Sequence, residues 1–504
     1  MTDPFVLAID AGTTGVRCRA VFADGREGPA SYREFTQFFP HPGWVEHDPD
    51  EIWSAVVTTF REITDQLGLP ECIGITNQRE TVLAWNRVTG ESYGKAIVWQ
   101  DRRTAEVCSL LESEGHLDQV RSITGLVLDP YFSGTKMAWI LEAVRADRGS
   151  VPADLLLGTI DSWILWNLTK GAVFATDPSN ASRTMLFDIG QKSWSDELSD
   201  VVGVPVSRLV EVRPSSGEFG STSHDALPTG IPITGIAGDQ QAALFGQACF
   251  SPGMAKNTYG TGSFVLMNIG QTCPPVRSGL LTTVAWSLQA PDGTIETTYA
   301  FEASIFVTGA AVQWLRDGLG IIESSSQIES LARTVPDNGG VFCVPAFAGL
   351  GSPWWDPHAR GAVFGLTRGS TRAHLARAVI ESMALQTRDA IQAMRDASGT
   401  ELVELRVDGG ASVMNLLLDI QADQLGMRVR RPVDKETTSL GAAFLAGLSR
   451  GVWATTDEIA ANWKSEALFE PNSPGSPERA EADALHGTWL RAVERSRNWA
   501  SSET

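Results

Sequence analysis

The chain reads as an α/β protein whose two lobes close on a cleft, and three observations carry that reading. Its 504 residues are too many for one ordinary core, since domains run to ~150 residues. Two Gly/Thr-rich hairpins open its two halves: FVLAID, AGTTG, VRCRAVF over 5–22, and NTYGTGSFVLMN over 257–268. A third glycine site, LRVDGGASVMNLLL over 405–418, reads as strand, Gly409-Gly410, helix. That order turns a helix N-terminus towards whatever binds there.

Composition narrows the function. A hydrophobic content of 43% with 48 Gly and 25 Pro describes a loop-rich globular enzyme rather than a disordered or fibrous chain. The net charge of −20 argues against nucleic acid or an anionic membrane as the main partner. Any phosphate must therefore be handled by local groups. The start, MTDPFVLAID, has no basic segment followed by a long apolar one, and nowhere do 18 apolar residues run together, so no membrane segment is expected and a cytoplasmic protein is. Six cysteines without a CxxC pair and seven histidines without HExxH suggest neither a disulfide framework nor a zinc site.

Taken in order, the first hairpin turn offers backbone N–H groups and the hydroxyls of Thr13 and Thr14, beside Asp10 and Arg17. It is either a phosphate cradle with room for hydrated Mg²⁺ or only a turn. CIGITNQRE, 72–80, is a strand ending in Arg79 and Glu80, which could equally be an exposed ion pair. AIVWQDRR, 96–103, ends a strand with Trp99, a core residue or a ligand wall. LDPYFSGTK, 128–136, with Tyr131, and TDPSNASRTM, 176–185, are loops at strand ends, where α/β proteins carry ligands.

IPITGIAGDQQAALF, 231–245, passes from a β-branched strand into an Ala/Gln-rich helix at Asp239. Asp239 is either an N-cap or a general base beside a substrate hydroxyl. The second hairpin supplies Gly260, Thr261, Gly262 and then the apolar run from Phe264. No GxxxxGK[ST] exists, nor a GxGxxG after a strand.

Two such hairpins with a GG-helix resemble the cleft of the actin-like ATPase superfamily, in which two ribonuclease-H-like lobes close on a nucleotide. NQRE, VWQDRR, LDPYFSGTK, NASRTM, GIAGDQQAALFGQ, MAKNTYGTGSF, FAGLGSPWWDPHARGAVFGLTRG and LRVDGG together are similar to the FGGY carbohydrate kinases, from about Phe5 to about Val452. GWVEHDP at 43–49 and NQRE resemble the glycerol-phosphorylating branch of that family rather than its pentulose kinases.

The resemblance implies Mg-dependent transfer of the ATP γ-phosphoryl group to glycerol, giving sn-glycerol 3-phosphate and ADP. It implies Asp239 as the base and Gln240 holding the substrate. Arg79, Glu80 and Tyr131 would bond its hydroxyls, with Trp99 and Phe264 as the apolar wall. Thr13, Thr14, Gly15, Arg17, Thr261 and Gly309 would line the phosphates and Gln313 the far side of the nucleotide. The Gly410 loop, with Met414 and Asn415, would face the adenosine, and Asp10 would meet Mg²⁺ through water. A homo-oligomer, dimer or tetramer, is expected. So are an N-terminal lobe over 1–247, a C-terminal lobe over 248–465, and over 466–504 a linker with an amphipathic helix carrying Leu485, Trp489 and Val493.

Three positions depart from the family's pattern: Ala11 for Gln, Gly15 for Ser, and Met414 for Asn. The hydroxyl missing at Gly15 implies changed nucleotide affinity rather than lost activity, and Met414 could pack on the adenine but not donate to it as Asn does. STSHDALPTGIP stands where some relatives carry a basic loop for fructose 1,6-bisphosphate. No Lys or Arg lies between Arg213 and Asp239, so no control by that ligand is expected, and His224 is read as an ordinary surface residue. Two other functions stay open: a non-catalytic actin-like ATPase, and a sibling kinase for erythritol or a pentulose.

Overall fold

The computed structural model describes residues 3–24, 26–275, 279–290 and 292–500. Among the described residues there are six sheets, and two of them are built on the two hairpins. The first runs in the order Ile233–Gly238, Cys72–Asn77, Phe5–Ala11, Gly15–Phe22, Glu27–Glu34. Phe5–Ala11 pairs antiparallel with Gly15–Phe22, which sets Asp10 opposite Arg17, and parallel with Cys72–Asn77. The second sheet orders Leu281–Gln289, Ile295–Ile305, Ser263–Gly270, Met254–Tyr259, Glu404–Asp408, Val429–Pro432 and Ser465–Phe469. Its hairpin, Met254–Tyr259 with Ser263–Gly270, is again antiparallel, and Met254–Tyr259 is again parallel to a later strand, Glu404–Asp408.

The crossovers follow from sequence chemistry. In the first, Asp48 accepts from the Asp50 N–H, Pro49 fills the first helical position, and Gly68 at φ +89° ends the helix Pro49–Leu67. In the second, Thr371 and His374 form a reciprocal cap and Gly399 at φ +63° closes Arg372–Ser398. The central strands Phe5–Ala11, Cys72–Asn77 and Met254–Tyr259 are buried over nearly their whole length because both faces are covered. One face of the first sheet meets the helix Thr437–Arg450, which also lies directly on the Asp239–Gly246 helix. A Cβ on Gly441 would stand 1.8 Å from Ala242 O, and one on Gly246 2.0 Å from Thr437 O, so only glycine permits this approach.

Several local expectations shift. Only Ala96–Ile97 is strand, and Trp99 sits in the turn beyond it. The 128–136 loop becomes helix at Ser133. The 176–185 segment holds a short helix, Pro178–Ala181, capped by Asp177. After Gly409 comes a 3₁₀ turn, Gly410–Val413, and the helix starts only at Asn415, because the Ser412 hydroxyl donates back to Gly409 O at 2.7 Å. Ser465–Phe469 pairs antiparallel with Val429–Pro432 as the edge of the second sheet. In the last helix, Pro477–Ser496, Trp489 and Val493 are buried with Leu485 against Phe342, Val344 and Leu385. Among the described residues no helix is long and apolar enough to cross a membrane.

Candidate active site

Asp239 is the first residue of its helix and Gly238 holds the cap position, so the carboxylate is not spent as an N-cap. Among the described residues its Oδ1 takes only the neighbouring Gln240 N–H, at 2.7 Å, and it lies 3.3 Å from Arg79 Nε. The junction is fixed from outside: Gly238 N donates to Ser179 Oγ at 2.9 Å, and Asp177 accepts from both Ser179 and Asn180. Burial, with Glu80 nearby, raises the Asp239 carboxyl above its ordinary value, and Arg79 and Lys256 only partly offset this.

Around it stands a buried ion network. Arg79 and Glu80 are each 2% exposed, so the exposed-pair reading fails. Arg79 donates to Glu302 Oε2 at 2.5 Å and Oε1 at 3.3 Å, to Tyr131 OH at 2.9 Å and to Gln241 Oε1 at 3.3 Å. Arg183 donates to Glu80 Oε1 at 2.7 Å and to Glu302 Oε1 at 2.8 Å. Burial would raise the Glu302 carboxyl, but Arg183 and Arg79 outweigh it and hold it at about 2. Tyr131 is further held at its carbonyl by the buried Lys136, 2.8 Å away.

The apolar side is aromatic. Trp99 meets Tyr131 edge-on at 5.6 Å and Phe264 at 6.5 Å between ring centres. The indole N–H of Trp99 donates to Thr13 Oγ1 at 2.9 Å, which ties this wall to the first hairpin. Acceptors, donors and aromatic faces thus converge on one corner, a combination that suits a small polyol with a C–H edge and an O–H edge.

The glycine turns supply the other half. Among the described residues, the N–H groups of Thr13, Thr14 and Thr261 meet no acceptor, leaving them for an anion. Gly309 opens a short helix against the second turn: its N–H reaches Gly260 O at 3.1 Å, and a Cβ there would stand 2.5 Å from the same oxygen. Burial, then Asp239, raise the Asp10 carboxyl to about 6, against Arg17 and the Ser439 hydroxyl 3.3 Å away. Arg17 forms an ion pair with Glu436. Farther out, Gln313 and Gly410 are exposed. Met414 is 7% exposed within the second core, while Asn415 Oδ1 accepts from Arg431 at 3.0 Å.

Position 15 has a physical explanation. A Cβ there would fall 2.5 Å from Arg33 O and 2.6 Å from Tyr32 OH. The Tyr32 hydroxyl instead meets Thr14 Oγ1 at 3.0 Å, with the ring 5.6 Å from the Arg17 guanidinium. Gly15→Ser should therefore destabilise by ~1–3 kcal/mol through overpacking, read as a lower melting temperature; a melt equal to wild type would show that Tyr32 swings aside at no cost.

Sequence reasoning missed Glu302, Arg183 and Lys256. Arg183 and Lys256 lie within quoted segments, NASRTM and MAKNTYGTGSF, but Glu302, in the strand YAFEASI, carried no signal beyond one acid among apolar residues.

Residues 5–246 match the N-terminal domain, and 255–450 the C-terminal domain, of the FGGY family of carbohydrate kinases. Glycerol kinase of Carboxydothermus hydrogenoformans is 52% identical over 515 residues, covering 100% of both chains. Glycerol kinase 2 of Thermotoga maritima is 51% identical over 500 residues, covering 98% of this chain and 99% of its own. The crystal structure of Plasmodium falciparum glycerol kinase with ADP superposes with a TM-score of 0.90 at 32% identity, covering 98% of each chain. A ligand-bound xylulose kinase from Lactobacillus acidophilus, at 19% identity and a TM-score of 0.88 over 99% of each chain, shares the fold. With both family domains matched in order and such relatives aligned end to end, this chain belongs to the FGGY family of carbohydrate kinases.

Proposed function

We propose that the chain is an ATP-dependent glycerol kinase that moves the γ-phosphoryl group of ATP to a terminal hydroxyl of glycerol. The observation that carries this reading is the Asp239 carboxylate, free of any capping duty, beside a corner where Arg79, Glu80, Tyr131, Trp99 and Phe264 converge. Glycerol hydroxyls would meet Arg79, Glu80 and Tyr131, and its carbon edge would lie on Trp99 and Phe264. Asp239, its basicity raised by burial, would take the proton of the attacking hydroxyl. Nucleotide phosphates would rest on the turns at Thr13–Gly15 and Thr261 with Gly309, and Arg17 would exchange Glu436 for phosphate. The adenosine would lie towards Gln313, Gly410 and Asn415, with Met414 beneath in the core.

Asp10 suits a hydrated Mg²⁺. One half-buried carboxylate raised to about 6 gains from a cation, and Mg²⁺ commonly keeps its waters and touches one or two carboxylates. When bound, Mg²⁺ neutralises charge on the transferring group. The residues do the rest by positioning, which is most of what phosphoryl transfer asks of a protein. The lobes would meet near residue 248, so that nucleotide and polyol are brought together by closure. We place the enzyme in the cytoplasm as a dimer or tetramer, which sizing at several concentrations would test.

ADP release measured with and without glycerol, and across erythritol and pentuloses, tests the assignment. Glycerol-independent hydrolysis alone would make this an ATPase, and preference for another polyol a sibling kinase. Fructose 1,6-bisphosphate at millimolar concentration is expected to change neither rate nor oligomer size. At the 221–232 segment Lys170 is taken up by an ion pair with Asp225, 2.8 Å away, Arg61 donates to Ala226 O at 2.8 Å, and His224 packs edge-on to Trp53. Clear inhibition would locate an effector surface elsewhere.

A further inference from the structure

We infer that Lys256 is a positioning residue that fixes the side-chain amide of Gln240, so that Gln240 offers an N–H donor, and no acceptor, to the hydroxyl facing Asp239. The inference rests on the polyol kinase reading and deepens it. Lys256 lies on the second-hairpin strand Met254–Tyr259 and is fully buried. Its Nζ donates to Gln240 Oε1 at 2.5 Å and to Thr258 Oγ1, two residues along the same strand face, at 2.9 Å.

An ammonium group only donates, so the atom of the Gln240 amide that faces it must be the oxygen. The amide orientation is therefore set by chemistry. The Nε2 edge, which meets no acceptor among the described residues, is left for a ligand, and Gln240 is 9% exposed beside Asp239. A hydroxyl in the corner could then accept from Gln240 Nε2 while giving its own proton to Asp239. The two contacts are complementary and fix one rotamer of the O–H.

Lys256 is held in its buried place by Asp408, Asp239 and Glu302, with Arg79 opposing. Burial lowers its ammonium to about 8, which leaves it protonated at neutral pH. A neutral or absent group at 256 would free the Gln240 amide to turn its oxygen towards the substrate, where two acceptors, Gln240 and Asp239, would face one hydroxyl.

The test uses the full chain, with steady-state kinetics in glycerol and in ATP and a thermal melt. Lys256→Met keeps the length and removes the charge. It is expected to raise the glycerol KM roughly 10- to 100-fold, the worth of one charge-organised hydrogen bond, with the ATP KM within about twofold. In a Gln240→Ala background, Lys256→Met should add less than about twofold, because coupled positions are not additive. Gln240→Glu keeps a partner for Lys256, so it folds even where Lys256→Met does not, and lacks the donor; it should raise the glycerol KM by the same order.

Unchanged glycerol KM in Gln240→Glu overturns the inference. So does a full additional loss from Lys256→Met in the Gln240→Ala background, which would place Lys256 on the phosphoryl group itself. A fall in kcat with both KM values unchanged overturns it too. Wild-type enzyme that fails to phosphorylate glycerol would instead sink the functional reading on which the inference rests.

Discussion

Asp239→Asn is expected to lower kcat by roughly 10²–10⁴, the usual worth of a positioned general base or about 3–5 kcal/mol of barrier. The fold should be nearly unmoved. Asparagine keeps an oxygen for the Gln240 N–H, and Gly238 holds the cap position, so no helix end is lost. The charge removed is one that burial and Glu80 already disfavour, and Arg79 keeps its bonds to Glu302 and Tyr131. A melt within about 1 kcal/mol of wild type is therefore expected. Because the Asp239 carboxyl is raised, the acid limb of wild-type turnover should lie above the ordinary aspartate value of 3.8, since the base works only when deprotonated. Near-normal turnover in a well-folded Asp239→Asn would remove the base and leave alignment by the two hairpins to explain catalysis.

How far the sequence alone reaches is seen in which signals were local. Strand-turn-strand at 5–22 and 257–268 was legible because alternation and Gly/Thr turns are written in consecutive residues. The strand-to-helix step at Asp239 was legible for the same reason. Arg79 stood out by its place at a strand end, yet its burial did not: the nearest opposite charge in sequence, Glu80, suggested an exposed pair, whereas its strongest partner, Glu302, is 223 residues away. Lys256 was hidden likewise, since a lysine in a strand reads as an edge or surface residue, and only the partner 16 residues back, Gln240, shows why its charge is tolerated inside. Family resemblance at Gly15 marked a missing hydroxyl; sheet register explains it, because Tyr32 lies opposite Arg17 and sends its ring over position 15. Propensity also overran at 96–103, where two residues of pairing suffice and the chain must turn to set Trp99 against Thr13.

Glu302→Ala should cost ~3–5 kcal/mol, the loss seen when one partner of a buried ionic set is removed. Arg79 is 2% exposed and Arg183 is fully buried, and a guanidinium cannot shed its proton to escape. Arg183 would be left with Glu80, 2.7 Å from its Nε, and Arg79 with the same Glu80 at 3.4 Å and Asp239 at 3.3 Å. Glu302→Gln, which keeps the shape and one acceptor, should lose less. The same carboxylate gives a pH signature. Its folded value, about 2, lies below the ordinary 4.5, so its contribution is complete above pH 4.5 and is lost as pH falls from 4.5 to about 2. Urea melts of wild type and Glu302→Gln should accordingly differ most at neutral pH and converge through that window. Equal stability of wild type and Glu302→Ala at pH 7 would mean that water or Glu80 satisfies both arginines; the orientation of Arg79 towards Tyr131 and Asp239 would then have to come from its hydrogen bond to Gln241 and from packing alone.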